Sequence, residues 1–165
     1  MNKREQIITW LNDAYAMERA LEMMLEKQTV NTAVHRAIRD RAGIHLDETR
    51  AHAEHLERCL QMLGGERSVL KTTAMQALQL ATNITTIFTA DERVKDYLAA
   101  IGAEYFEVAC YKGLIVAARE AQEEQIIPFL QENLKQDQAM ARWLDDNVEA
   151  VIRDYLGTAS PGRGS

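Results

Sequence analysis

Apolar residues recur along most of the chain at alternating intervals of three and four, the spacing of a stripe on one face of a helix. The first stretch reads Ile7, Leu11, Ala14, Leu21, Leu25. It opens on Asn2 with Glu5 three residues on, a capping-box pattern, and is predicted to run to about Gln28. A second helix is predicted from Asn31 or Thr32 to about Leu63, stopped by Gly64 and Gly65. A third runs from about Asp91 to about Glu120, and a fourth follows closely, with Pro128 tolerable in its first turn and Gly157 at its end. Between the second and third lies a crossover, Glu66 to about Ala90, in which Met75, Leu78, Ala81 and Thr82 predict a shorter helix. No stretch alternates as a strand would.

Short links make the first pair of helices antiparallel, and likewise the second pair. One long crossover among four long helices is the connectivity of ferritin-like folds, so the predicted class is all-α, a ferritin-like four-helix bundle over residues 1–157. The tail 158–165 is too small and polar to order itself.

The stripes are broken at their centres by polar residues. Glu18 fills the missing step of the first helix. The second reads Val34, Ile38, Arg41, His45, Glu48, His52, then His55 with Leu56, Cys59 and Leu63. The third reads Tyr97, Ile101, Glu104, Val108, Tyr111, Ile115, with Glu107 one turn from Glu104; the fourth reads Ile127, Leu130, Leu134, Asp137, Ala141, Leu144, Val148. Four inward acids at one level cannot all stay ionised in a dry interior without a cation. Carboxylate oxygens with one imidazole suit iron or manganese. The spacing therefore nominates Glu18, Glu48, His52, Glu104, Glu107 and Asp137 as metal ligands. His45 and His55 are read as packed or flanking histidines, Tyr15 and Tyr111 as core residues able to support ligands by hydrogen bonds, and Met17, Met23, Met24, Met75 and Met140 as packing.

Composition narrows the remaining classes. With 165 residues the chain suits one domain. Its net charge of -6 opposes a nucleic-acid surface, and the basic turn Arg36, Arg39, Arg41 is read as a solvated face. Cys59 and Cys110 are far apart and belong to no Cys-x-x-Cys pair, so they are expected to be reduced thiols. No phosphate-binding glycine loop, serine-hydrolase elbow, signal peptide or membrane span is present, and a cytoplasmic protein is expected.

Several segments resemble the YciE/YciF family of bacterial ferritin-like stress proteins: residues 13–18 and 45–49, the run 104–111, and the acidic segment 134–140. The likeness extends from about Trp10 to Leu144. It implies a bundle with short crossover helices, a dinuclear iron or manganese site, a tendency to form a homodimer, and an association with stress; the departures that follow point instead to one ion or none. The chain departs from the common Glu-x-x-His pattern, because Glu48 and His52 are four apart, helix four has no histidine, and Gln136 stands beside Asp137 where the family often has a second acid. Two functions follow. One is a non-haem metal protein that oxidises iron or consumes peroxide or dioxygen; the other is a metal-free, dimeric helical protein that binds a partner under stress.

Overall fold

The structure is a computed structural model that describes residues 2–32, 34–67 and 92–158. Four long helices carry it: α1 (Lys3–Val30), α2 (Arg36–Met62), α3 (Glu92–Glu120) and α4 (Ile127–Thr158), with a 3-10 turn, Glu124–Ile126, leading into α4. The crossover helix expected around Met75 to Thr82 and the tail beyond Thr158 lie outside the described residues. No helix among the described residues is long and apolar enough to cross a membrane.

Local chemistry sets the helix ends. The capping box forms as predicted: Glu5 N donates to Asn2 Oδ1 at 2.8 Å and Asn2 N donates to Glu5 Oε2 at 3.0 Å. The second helix starts later than Asn31 or Thr32. His35 caps it, its Nδ1 accepting from Ala37 N at 3.2 Å, so the link from α1 takes five residues. Pro128 falls in the first turn of α4, and Gly157 lies within its last turn rather than ending it.

Both α2 and α3 close with the same wrapped-back pattern of hydrogen bonds. Gly65 N donates to Leu60 O at 2.9 Å, and Glu123 N donates to Ala118 O at 2.9 Å. The pattern needs one left-handed residue, which is Gly64 (φ 65°) in the first case and Gln122 (φ 60°) in the second. Arg4 ties the two ends together, with Nε donating to Leu63 O at 3.2 Å and Nη1 3.3 Å from Glu123 Oε1.

The long helices form two hairpins, α1 with α2 and α3 with α4, docked through α1 on α3 and α2 on α4. One apolar cluster joins the start of α1 (Ile7, Leu11) to the ends of α2 (Leu56, Leu60) and α3 (Ile115, Ala118) and the start of α4 (Leu130). A second cluster, Ile38, Tyr97, Met140 and Leu144, closes the other end. α2 and α3 therefore run the same way, the direction that the ferritin-like connectivity requires. Between the apolar ends lies a polar layer.

The left-handed positions give opposite expectations. Gly64→Ala is strained only by its backbone, since nothing lies within 4 Å of an added Cβ; it should cost about 1 kcal/mol. Gln122→Gly should stabilise by about 0.5 kcal/mol, the relief of strain being partly offset by a more flexible unfolded chain. Urea-unfolding midpoints moving in the same direction for both would contradict this account.

Candidate metal centre

The polar layer is built from all four helices. α1 contributes Glu18, α2 His45 and His52, α3 Glu104 and Glu107, and α4 Asp137, all buried. The inward face of α2 is rotated from the predicted stripe: its buried seam is Ile38, Ala42, His45, Thr49, His52, Leu56, Cys59. Ala42 and Thr49 stand where the spacing puts Arg41 and Glu48. At 100° per residue, Glu48 lies about 60° round the helix from His45, on the side away from Ala42 and Thr49. Its side chain is 24% exposed and meets Arg41 Nη1 at 3.3 Å.

His45 and His52, seven residues apart, point the same way. His45 Nε2 lies 3.0 Å from Glu104 Oε1, and its Nδ1 lies 2.8 Å from Glu48 Oε2. His52 Nδ1 is 3.5 Å from both Glu18 Oε1 and Asp137 Oδ1, while Nε2 is 2.8 Å from Gln136 Oε1. Two groups of potential ligand atoms result, each spanning no more than 4.8 Å: His45, Glu104, Glu107 and Asp137, and Glu18, His52 and Asp137. Asp137 belongs to both. Five of the six nominated residues thus come together; Glu48 stands behind His45, and His45 takes a place in the cluster that the spacing did not give it.

The donor set fits a metal ion. Six buried side-chain atoms among the described residues have no hydrogen-bond partner: Glu18 Oε2, His52 Nδ1, Glu104 Oε2, Glu107 Oε2 and both oxygens of Asp137. Every one belongs to this cluster. Carboxylate and imidazole ligands reach a cation at about 2.0–2.6 Å, so atoms across an ion stand roughly 4–5 Å apart. Neither cysteine belongs to either group.

Neighbours hold the acids in place. Tyr111, fully buried, donates its hydroxyl to Glu18 Oε1 and accepts from Asn133 Nδ2 at 3.0 Å. Asn133 is oriented in turn by His55, whose Nδ1 lies 2.7 Å from Asn133 Oδ1. His55 itself packs against Phe129, outside the cluster. Tyr15 takes no part, because its hydroxyl accepts from Arg67 at 3.0 Å. Met17 and Met140 are core residues, whereas Met23 is exposed.

The pattern of the family described as a domain of unknown function, DUF892, matches residues 2–157. The chain belongs to the DUF892 family. Solved structures resemble the chain. A protein from Xanthomonas campestris pv. campestris is 30% identical, with a TM-score of 0.82 over 95% of this chain and 98% of that one. The Escherichia coli stress protein YciF is 22% identical, with a TM-score of 0.78 over 93% and 98%. A ferritin-like diiron-carboxylate protein from Bacillus anthracis is 15% identical, with a TM-score of 0.71 over 90% and 99%. The last two share the fold. The YciE/YciF resemblance and the ferritin-like bundle expected from the sequence both hold for this DUF892 chain.

Without an ion, protons neutralise the layer. Burial, then the charges of Glu18, Asp137 and Glu104, push the Glu107 carboxyl well above its usual range. Burial likewise lifts Asp137 to about 8, with Glu18 and Glu104 adding to it and His52 and His45 opposing. Burial alone would lower the His45 imidazole, but hydrogen bonds to Glu104 and Glu48 outweigh it and carry it to about 10. His52 is raised by the same balance, against burial and through Glu18.

Each of these groups holds its proton more tightly folded than unfolded, so protonation stabilises the fold. That stability is fully present below the unfolded values and is lost as pH rises through the folded ones. With chelator present, the melting temperature should therefore fall from pH 6 to pH 9, and Asp137→Asn should flatten the slope. A wild-type profile level over that range would contradict the assignment.

Proposed function

We propose that this DUF892 chain is a non-haem metal protein that would hold iron or manganese at two adjacent positions, one among His45, Glu104 and Glu107 and one among Glu18 and His52, with Asp137 common to both. The observation that carries the reading is that every buried side-chain nitrogen or oxygen without a hydrogen bond, among the described residues, falls in this one cluster. Leaving such oxygens in a dry interior costs several kcal/mol apiece unless a cation or proton meets them. The fold supports the same reading, since a ferritin-like diiron-carboxylate protein shares it.

A bound pair of such ions supplies two electrons, one from each, to an oxidant such as hydrogen peroxide or dioxygen, the chemistry of ferrous-iron oxidation. The chain's own residues supply the rest. The apolar clusters at either end keep bulk water from the layer. The Tyr111 hydroxyl, set by Asn133, fixes one oxygen of Glu18 and leaves the other free to ligate. Tyr111 also stands beside His52, with ring centroids 6.0 Å apart, so one side chain borders both Glu18 and the histidine.

Chelator-stripped protein incubated with manganese(II), or anaerobically with iron(II), should retain two equivalents after desalting and melt several degrees higher than the stripped form, because a ligand of the native state stabilises it. His52→Ala and Asp137→Asn should each reduce the metal retained, and iron(II)-loaded protein should consume peroxide. Less than one equivalent, with melting indifferent to metal and chelator, would overturn the proposal in favour of the metal-free, partner-binding protein.

A further inference from the structure

The two histidines are held from behind by different chemistry. His45 Nδ1 and Arg41 Nη1 both meet the same oxygen, Glu48 Oε2, at 2.8 and 3.3 Å. The Arg41 guanidinium lies against the Glu48 carboxylate as its counter-charge, so Glu48 is an anion. An anion only accepts, so His45 Nδ1 carries a hydrogen and Nε2 is the nitrogen that turns inward.

Behind His52 the acceptor is neutral. Gln136 Nε2 donates to Glu132 Oε1 at 3.1 Å, which fixes the amide with its oxygen towards His52. His52 Nε2 must then donate to Gln136 Oε1, and Nδ1 is left facing Glu18 and Asp137 at 3.5 Å without a hydrogen bond. A carboxylate accepting the outer N-H makes an imidazole a stronger electron donor to a metal than an amide does. The carboxylates are divided just as unevenly: Glu104, Glu107 and Asp137 surround the His45 position, against Glu18 and Asp137 at His52.

We propose that the two ion positions are unequal and fill in order, the His45 position first, with Glu48 and Gln136 as the positioning residues that set the difference. The inference rests on the two-ion reading above. At Gln136 the departure therefore keeps the inward-facing imidazole tautomer that a carboxylate would also select and removes only the outer charge.

Calorimetric titration of the stripped full-length chain with manganese(II), with electron paramagnetic resonance at one and two equivalents, tests it. The wild type should show two steps at least about tenfold apart, an isolated-ion spectrum at one equivalent and a coupled pair at two. Glu48→Gln keeps both contacts, since both reach a single oxygen, and should weaken only the first step, by about tenfold. Exchanging the pair, Glu132→Gln with Gln136→Glu, conserves net charge and lets the new amide donate to the new carboxylate; it should tighten only the second step, by about tenfold. Melting curves in chelator that match the wild type establish that both variants fold. Two equal steps in the wild type, or either variant acting on the other step, would overturn the inference while leaving two-ion binding intact. Binding of no manganese at all would remove both.

Discussion

Ionised oxygens in a water-free interior repel one another, and the middle of this bundle is organised around that constraint. Glu18, Glu104, Glu107 and Asp137 come from three helices, and none has a lysine or arginine within ion-pairing distance among the described residues. The cationic partners within reach are His45 and His52. A fold selected for stability alone would fill this layer with leucine, since replacing buried ionic groups by apolar ones is often neutral or favourable. That it does not, while the layers above and below are ordinary apolar packing, marks the polar layer as the part of the molecule that stability does not explain.

The surroundings keep this arrangement from collapsing. Each acid sits near the middle of a long helix, where the backbone is rigid, and several are steered by a neighbour with one available geometry: Tyr111 on Glu18, His45 on Glu104, and Asn133 behind Tyr111. Asn133 also donates to the His52 carbonyl at 3.4 Å, so one amide braces both the tyrosine and the helix that carries the histidines. Such bracing holds ligand atoms apart at a spacing that hydrogen bonds between them could not maintain.

Much of this was legible in the sequence. Helix ends follow from Asn2, Glu5, Gly64 and Pro128, whose conformational preferences are local, and the polar breaks in the stripes identify Glu18, Glu104, Glu107, His52 and Asp137 because each falls on an apolar face with no helix end nearby. The second helix misled because it carries polar residues at 41, 45, 48, 52 and 55, a run that itself steps by three and four. The small residues Ala42 and Thr49 mark the true seam, and they give little signal against arginine and glutamate. The heptad interval between His45 and His52 was the available clue to the histidine that spacing set aside. Hydrogen-bond roles such as that of Gln136 are beyond sequence, because they depend on which atom of a side chain meets which neighbour.

The pairing of helices divides the cluster evenly. The α1/α2 hairpin brings Glu18, His45 and His52, and the α3/α4 hairpin brings Glu104, Glu107 and Asp137. Neither half can assemble the centre alone, so an occupant gripped by both acts as a clasp across the seam where the two hairpins dock. Binding and docking would then be coupled, each favouring the other, so the strength with which the halves hold together would depend on what lies between them.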